Sequence, residues 1–189
     1  MNYKVLIVLL AVGGLSGCLG DDDDNNPSPD SLNGTWIQSC NIDEDNDASD
    51  SQLVINGAEW ILSGTVYNDP ECLEPLFAAR IEAISIAGEE VTLSNGTLAT
   101  AIDHTTTGAF MTPSSNLMST AFNSDQLCGI VTWAANKEED VTSCADFSSI
   151  VGETGYDIYK VENNRLYQGD TRTESGDTPE ERPTSLDYE

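Results

Sequence analysis

The chain has 189 residues, of which 33 are acidic and 7 are basic, so its formal net charge is -26 at pH 7. This excess of acid argues against binding to nucleic acid, which needs clustered Lys and Arg, and against attraction to an anionic membrane surface. Hydrophobic residues make up 39% of the chain, including three Trp and six Tyr, which is enough for a core. The length predicts one modest domain.

The first residues have the pattern of an export signal. Lys4 precedes an apolar run at residues 5–12, which is shorter than the roughly 20 residues needed to span a bilayer. The end of the signal, Leu15-Ser16-Gly17-Cys18, resembles the bacterial lipobox. That resemblance implies cleavage before Cys18, diacylglycerol on its sulfur and an acylated amino terminus. The alternative is an ordinary secreted protein with a cysteine there by chance.

The residue after the cysteine bears on location. Leu19, and not Asp, follows Cys18, and by the usual sorting rule of bacterial lipoproteins this resemblance implies the outer membrane, facing the periplasm or the surface. The membrane is therefore an expected partner through the lipid on Cys18.

Four segments are predicted along the chain. Residues 1–17 are the signal peptide, and residues 18–31 are the lipidated cysteine and an acidic tether with two prolines and no apolar residue after position 20. Residues 32–170 form the folded domain. Residues 171–189 are an acidic tail or a strap across the domain.

The folded domain has the pattern of an all-β protein with tight turns. Short runs with period-two alternation predict strands at 34–40, 52–55, 59–67, 76–86, 91–93, 97–103, 105–112, 156–161 and 165–168. Turns are predicted at 56–57 (a type I′ hairpin), 88–89, 95–96 and 163–164. Residues 114–122 have helical spacing after Pro113, with Ser114 or Ser115 as the cap. These elements predict a sandwich or an up-and-down barrel.

Cys40, Cys72, Cys128 and Cys144 remain once Cys18 is set aside. An even number in an exported domain favours disulfides, and of three connectivities we favour Cys40–Cys72 and Cys128–Cys144 because they close short loops. The spacing does not match a zinc site, and no other metal or cofactor is expected. The acidic loop at residues 43–50 matches only part of a calcium-binding loop, so a solvated loop is the favoured interpretation.

The domain also resembles a known family. Gly34-Thr35-Trp36 looks like the Gly-x-Trp that opens the first strand of lipocalins. The order of motifs resembles a group of bacterial lipocalin-like lipoproteins, through residues 34–40, 67–75, 127–133, 144, 156–158, 166–170 and 182–187. This resemblance implies a lipocalin-like antiparallel β-barrel or half-barrel of about eight to nine strands with one short helix. It also implies that Trp36 closes the barrel under a stacked Arg165.

No enzymatic chemistry is expected. There is no G-x-S-x-G sequence, and His104 stands among threonines without a free cysteine as its nucleophile. We therefore expect no catalytic residues.

Two functions remain open. The first is a non-enzymatic binding module for a lipid or other small hydrophobic ligand, whose candidate contacts are Trp36, Trp60, Leu62, Phe77 and Ile81. The second is a surface-exposed structural or adhesin-like module with a filled core and no small-molecule ligand. The volume of the barrel interior discriminates between them.

Overall fold

A computed structural model describes residues 15–18 (backbone only), 32–42, 47–170 and 175–187. The strands are β1 Leu15–Cys18, β2 Gly34–Ile42, β3 Ala48–Asn56, β4 Glu59–Tyr67, β5 Pro75–Thr92, β6 Leu98–Pro113, β7 Glu139–Asp140, β8 Thr154–Glu162 and β9 Arg165–Gln168. The helices are α1 Asn116–Asp125 and the single turn α2 Ala145–Ser148, with 3₁₀ turns at Leu127–Gly129 and Pro179–Glu181.

The strands form a nearly closed antiparallel barrel. The hydrogen-bonded order is β5-β4-β3-β2-β1-β9-β8-β6-β7, and β5 also pairs with β6. That last pairing returns the sheet to its starting strand, while the short β7 is added beside β6. The chain therefore runs up and down around a barrel, and the predicted all-β class is confirmed.

Strand β1 lies within the chain's amino-terminal region. It pairs with β2, with Gly17 opposite Trp36, and with β9, with Leu15 opposite Leu166. The predicted signal peptide ends at residue 17, so three of the four residues of β1 belong to the segment that processing would remove.

The hairpin turns follow from residues that tolerate positive φ. Asn163 and Asn164 have φ of 52° and 61°, which is the type I′ pattern that matches the twist of β8 and β9. At the β3–β4 hairpin the type I′ prediction is wrong. There Gly57 is the first central residue with φ 61°, and the second, Ala58, is not among the positive-φ residues, as in a type II′ turn.

Two bulges change the predicted strand boundaries. The expected turn at Gly88-Glu89 is instead a bulge within β5, because Ala87 pairs with Ile102 while Glu90 pairs with Thr100. The runs 97–103 and 105–112 are one strand, β6. There Glu82 pairs with Gly108 and Ala83 with Thr106, which leaves Thr107 extra and reverses which side chains face inward.

The helix predicted at residues 114–122 is present, but it begins at Asn116 and ends at Asp125. The Ser115 hydroxyl accepts from the Met118 N–H at 3.1 Å and caps α1. Met118 and Phe122 are buried, whereas Leu117, on the other side, is 82% exposed. The helix packs its apolar face on one end of the barrel, where the rings of Phe122 and Trp133 make a T-shaped contact with centroids 5.1 Å apart.

Both favoured disulfides are present, Cys40–Cys72 and Cys128–Cys144. The first joins β2 to the loop between β4 and β5. The second joins the 3₁₀ turn after α1 to the start of α2, and so holds the segment that covers one end of the barrel.

The interior contains two core clusters, and a third lies outside the sheet. One interior cluster lies under α1 and includes Phe77, Met111, Phe122 and Trp133. The other is formed by Trp36, Leu53, Ile55, Trp60, Ile102 and Leu166. The outer cluster contains Leu93, Ala99, Ile158 and Leu186. Leu186 belongs to residues 175–187, which lie against the barrel as the strap that the sequence predicted as one alternative for the tail.

Candidate functional site

A cavity of about 470 Å³ lies between the two interior clusters. Its apolar wall is formed by Leu53, Trp60, Leu62, Ile81, Ala83 and Ile150. Strands β3, β4 and β5 supply all of these except Ile150, which comes from the segment after α2.

Strand register explains why the apolar side chains meet. Leu53 pairs with Leu62, and Leu62 pairs with Ile81, so the three lie in one row across neighbouring strands. Trp60 and Ala83 form the next row on the same face. Paired residues of antiparallel strands point to the same side of the sheet, so period-two alternation in each strand becomes one continuous apolar wall.

The opposite wall is polar and contains His104, Asp157 and Gln168. They come from β6, β8 and β9, where the alternation directs residues of mixed chemistry inward. Ile102 pairs with Asp157, and Tyr159 pairs with Gln168, so the acid and the amide occupy neighbouring rows. The cavity is therefore apolar on one side and polar on the other.

Burial changes the protonation of two of these groups. It lowers the pKa of the His104 imidazole, although Asp103 acts in the opposite direction. It raises the pKa of Asp157 to about 6. The N–H groups of Ile158 and Gly169 donate to Asp157 Oδ1 at 2.7 and 3.0 Å, and this partly offsets the effect of burial.

Two polar atoms beside the cavity have no hydrogen-bond partner among the described residues. They are the indole N–H of Trp60 (Nε1) and the carbonyl oxygen of Gln168 (Oε1). The hydroxyl of Ser85, which pairs with His104 in the sheet, is a third buried atom of this kind. Buried polar atoms in proteins are nearly always satisfied, and each of these three exposes less than 1 Å², so it is enclosed by protein and does not open onto the cavity surface.

The strap borders the cavity. The carbonyl of Gly176 accepts from the Tyr156 N–H at 2.8 Å, and Ser175 and Asp177 lie at the cavity edge. Arg182 holds the strap by donating to the carbonyls of Ile102 at 2.8 Å and Asp157 at 2.6 Å. It also donates to Asp103 Oδ1 at 2.6 Å.

The structure separates the five predicted ligand contacts. Trp60, Leu62 and Ile81 line the cavity. Trp36 and Phe77 do not, because each is enclosed by core: Trp36 is 2% exposed and donates from its indole N–H to the Leu32 carbonyl at 2.9 Å. Phe77 packs on Phe122 with ring centroids 6.0 Å apart.

The predicted stacking of Arg165 on Trp36 is wrong, because the two side chains lie on opposite faces of the sheet. Arg165 pairs with Ser16 and Ser16 with Ile37, so Arg165 shares the outer face with Ile37, which is 40% exposed. Trp36 is the neighbouring residue and points inward. Leu166, which is 1% exposed, packs in the cluster of Trp36 instead.

Sequence reasoning missed Asp157, Gln168 and the strap residues. The alternation Asp157, Tyr159, Val161 in β8 was available as a signal, but an inward carboxylate among 33 acidic residues does not stand out. Half of the acidic loop at residues 43–50, which matches only part of a calcium-binding loop, lies outside the described residues, at positions 43–46. Within the described part of the chain there is no group of three or more His, Cys, Asp or Glu side chains arranged to hold a metal ion.

No protein-family model matches the chain, and a search of curated proteins found no match either. In the part of the chain that the structure describes, no helix is both long enough and apolar enough to cross a bilayer. The geometry of the cavity is therefore the main guide to function.

Proposed function

We propose that the protein is an outer-membrane lipoprotein, of the lipocalin-like kind, whose barrel binds a small hydrophobic molecule without catalysis. The observation that carries the proposal is the cavity of about 470 Å³ with a continuous apolar wall. Small-molecule sites in proteins usually measure about 300–1,000 Å³ and combine apolar lining with a few polar groups. An adhesin-like module with a filled core would not contain a cavity of this volume.

The anchor is the second part of the proposal. Acyl chains on Cys18 would hold the protein at the membrane, since each buried methylene contributes about 0.8 kcal/mol. The acidic tether at residues 18–31 would keep the strongly negative barrel away from anionic lipid.

The binding test uses a neutral fluorescent probe, N-phenyl-1-naphthylamine, whose emission rises in apolar surroundings. We expect saturable binding by the wild-type protein. Ala83→Leu, which places extra atoms in the cavity, should weaken binding by about tenfold or more, since each 1.4 kcal/mol is a factor of ten.

Ala87→Leu is the matched control, because Ala87 lies on the same strand but is exposed. It should bind the probe as the wild type does. Absence of saturable binding in the wild type would overturn the carrier function and favour the interaction module. Equal weakening by both substitutions would show that the probe binds elsewhere.

A further inference from the structure

The polar wall of the cavity contains a carboxylate that is held by one oxygen and free at the other. Asp157 Oδ1 accepts from the N–H groups of Ile158 at 2.7 Å and Gly169 at 3.0 Å. Its second oxygen, Oδ2, accepts no hydrogen bond from the described residues. Oδ2 is also not one of the three enclosed atoms without a partner, and Asp157 lines the cavity. A ligand in the cavity can therefore reach this oxygen.

His104 lies beside Asp157 on the same wall. His104 pairs with Gly155 and Ile102 with Asp157, so the two side chains are diagonal neighbours on adjacent strands. Diagonal neighbours lie about 7–8 Å apart, which is close enough for one bound group to contact both. The ring nitrogens of His104 are not among the enclosed atoms, and they make no hydrogen bond within the described part of the chain. Burial lowers the pKa of the imidazole, so at pH 7.5 it is neutral and one ring nitrogen can accept.

The charges at the cavity are negative. Glu153 and Asp177 line it and are exposed, and none of the described lining residues is Lys or Arg. Arg182 donates to the backbone carbonyl of Asp157 and pairs with the carboxylate of Asp103. Burial raises the pKa of Asp157 to about 6, so at pH 7.5 its carboxylate is ionised with no cation paired to it among the described residues.

One class of head group fits two neighbouring acceptors and this charge. A carboxylate would be repelled by Asp157, and a hydroxyl or a carboxamide would leave the charge of Asp157 without compensation. A metal ion needs more ligands than these two, and in the described ranges no group of three His, Cys, Asp or Glu side chains is arranged for one. A protonated primary amine carries one positive charge and three N–H donors, so it can donate to both groups at once.

We propose that the ligand is an amphiphilic amine, whose ammonium group donates to Asp157 Oδ2 and to a ring nitrogen of His104. This inference rests on the proposed carrier function. The hydrocarbon chain of the ligand lies against the apolar wall that β3, β4 and β5 supply. Glu153 and Asp177 add a longer-range attraction for the cation.

The test compares three molecules with the same dodecyl chain as competitors of N-phenyl-1-naphthylamine at pH 7.5. They are dodecylamine, dodecanamide and dodecanoate, each used below the concentration at which it aggregates. We expect dodecylamine to displace the probe at concentrations about tenfold lower than dodecanamide, because hydrogen bonds between charged groups are stronger than neutral ones. Dodecanoate should be the weakest competitor, because Asp157 repels it.

Asp157→Asn tests the charge, since it keeps the size of the side chain and an oxygen that accepts from the two backbone N–H groups. It should weaken dodecylamine by about tenfold and leave the affinities of dodecanamide and the probe within about twofold. Glu90→Gln is the matched control, because it removes one charge at an exposed position of β5 away from the cavity. It should change none of the three affinities.

His104→Leu tests the second acceptor. It should weaken dodecylamine by about threefold or more and change the affinity of the probe less than that of the amine. Thermal unfolding of each variant shows whether it remains folded. An unchanged affinity for dodecylamine in a folded His104→Leu variant would remove His104 from the proposed contact.

The outcomes separate this inference from the carrier function. If the probe binds but dodecanamide or dodecanoate competes as well as dodecylamine, the amine inference is wrong and the carrier function stands. The inference also fails if Asp157→Asn and Glu90→Gln affect dodecylamine equally, since the overall negative charge would then attract the amine. If the probe does not bind in a saturable way, the carrier function itself fails.

Discussion

Asp157 is the clearest case in which a single side chain responds to its place in the barrel. It faces inward from β8, and burial raises its pKa to about 6 from an ordinary value near 3.8. A carboxyl whose pKa is raised by folding stabilises the folded state fully below the unfolded pKa. That contribution is lost as the pH rises through about 6, because ionisation is then more costly in the folded protein.

Asp157→Asn should therefore remove the part of the pH dependence of stability that arises from Asp157. Relative to wild type, the variant should gain stability between pH 4 and pH 7, up to about 3 kcal/mol for a shift of about two pKa units. Chemical denaturation at a series of pH values measures the free energy of unfolding of each protein. The difference between the two values cancels the contributions of the other titrating groups. Parallel stability curves for the two proteins would contradict the assignment.

Gly155 shows how a missing side chain makes room for a buried one. A Cβ at this position would lie 2.5 Å from Nε2 of His104, which is much closer than real contacts allow. Gly155→Ala should therefore destabilise the protein by about 1–3 kcal/mol, as overpacking does, when measured by denaturant unfolding.

The control for this prediction is a double-mutant cycle. In the His104→Ala background the clash is absent, so Gly155→Ala should cost less there than in the wild type. An equal cost in both backgrounds would mean that the strain arises from the backbone and not from the imidazole.

At the scale of elements, β1 joins β2 to β9 and so closes the ring. If the proposed cleavage occurs before Cys18, most of β1 is removed and the facing backbone groups of β2 and β9 lose that neighbour. Unpaired strand edges exchange their amide hydrogens faster than paired ones.

Cys18→Ser should abolish acylation, which mass spectrometry of the membrane fraction detects, and should leave the precursor uncleaved. The amides of residues 35–37 should then exchange more slowly in the precursor than in the mature lipoprotein. Matching exchange rates would show that another part of the chain covers this edge.

The Cys128–Cys144 disulfide holds the segment that carries Ile150 to the cavity wall. This disulfide closes a loop with a sequence separation of 16 and lowers the conformational entropy of the unfolded chain, which stabilises the folded state by about 3 kcal/mol. Replacing both cysteines by serine should therefore lower the free energy of unfolding by about that amount. Probe affinity should fall as well, because the wall is loosened.

The Cys40–Cys72 pair is the comparison, since it joins β2 to the loop between β4 and β5, and neither of these contributes a residue to the cavity wall. Its removal should lower the free energy of unfolding by a similar amount and leave probe affinity unchanged. A loss of affinity in both double variants would indicate general loosening of the barrel.

At the scale of the whole molecule, the net charge of -26 opposes compaction. The ion pairs of the described residues, such as Arg80 with Glu82 and Glu138, involve few of the acidic groups. Salt should therefore stabilise the protein by screening repulsion among the remaining carboxylates.

Raising sodium chloride from about 0.01 to 0.15 M shortens the screening length from about 30 to 8 Å. We expect the free energy of unfolding to rise by on the order of 1 kcal/mol, or about 3 °C in melting temperature. Calorimetry checks this, and a fall in melting temperature would show that favourable ion pairs outweigh the repulsion.

Much of the local structure was predictable because it depends on neighbouring residues. The alternation in β4 correctly placed Trp60, Leu62, Gly64 and Val66 on one face, and Asn163-Asn164 correctly marked a hairpin. The predicted facing of side chains was wrong where an extra residue enters one of two paired strands. The bulge at Thr107 reverses the facing of β6, and a period-two pattern carries no sign of it.

The sequence by itself determined the all-β class, a helix capped by Ser114 or Ser115 and the inward face of β4, since these follow from local periodicity and turn chemistry. Only the tertiary structure decided that Trp36 and Phe77 are packed in core while Trp60, Leu62 and Ile81 line the cavity. It alone placed Asp157 and Gln168 opposite them. The physical reason is that register and closure bring together strands distant in the chain, and a cavity exists only where inward side chains do not meet across the barrel.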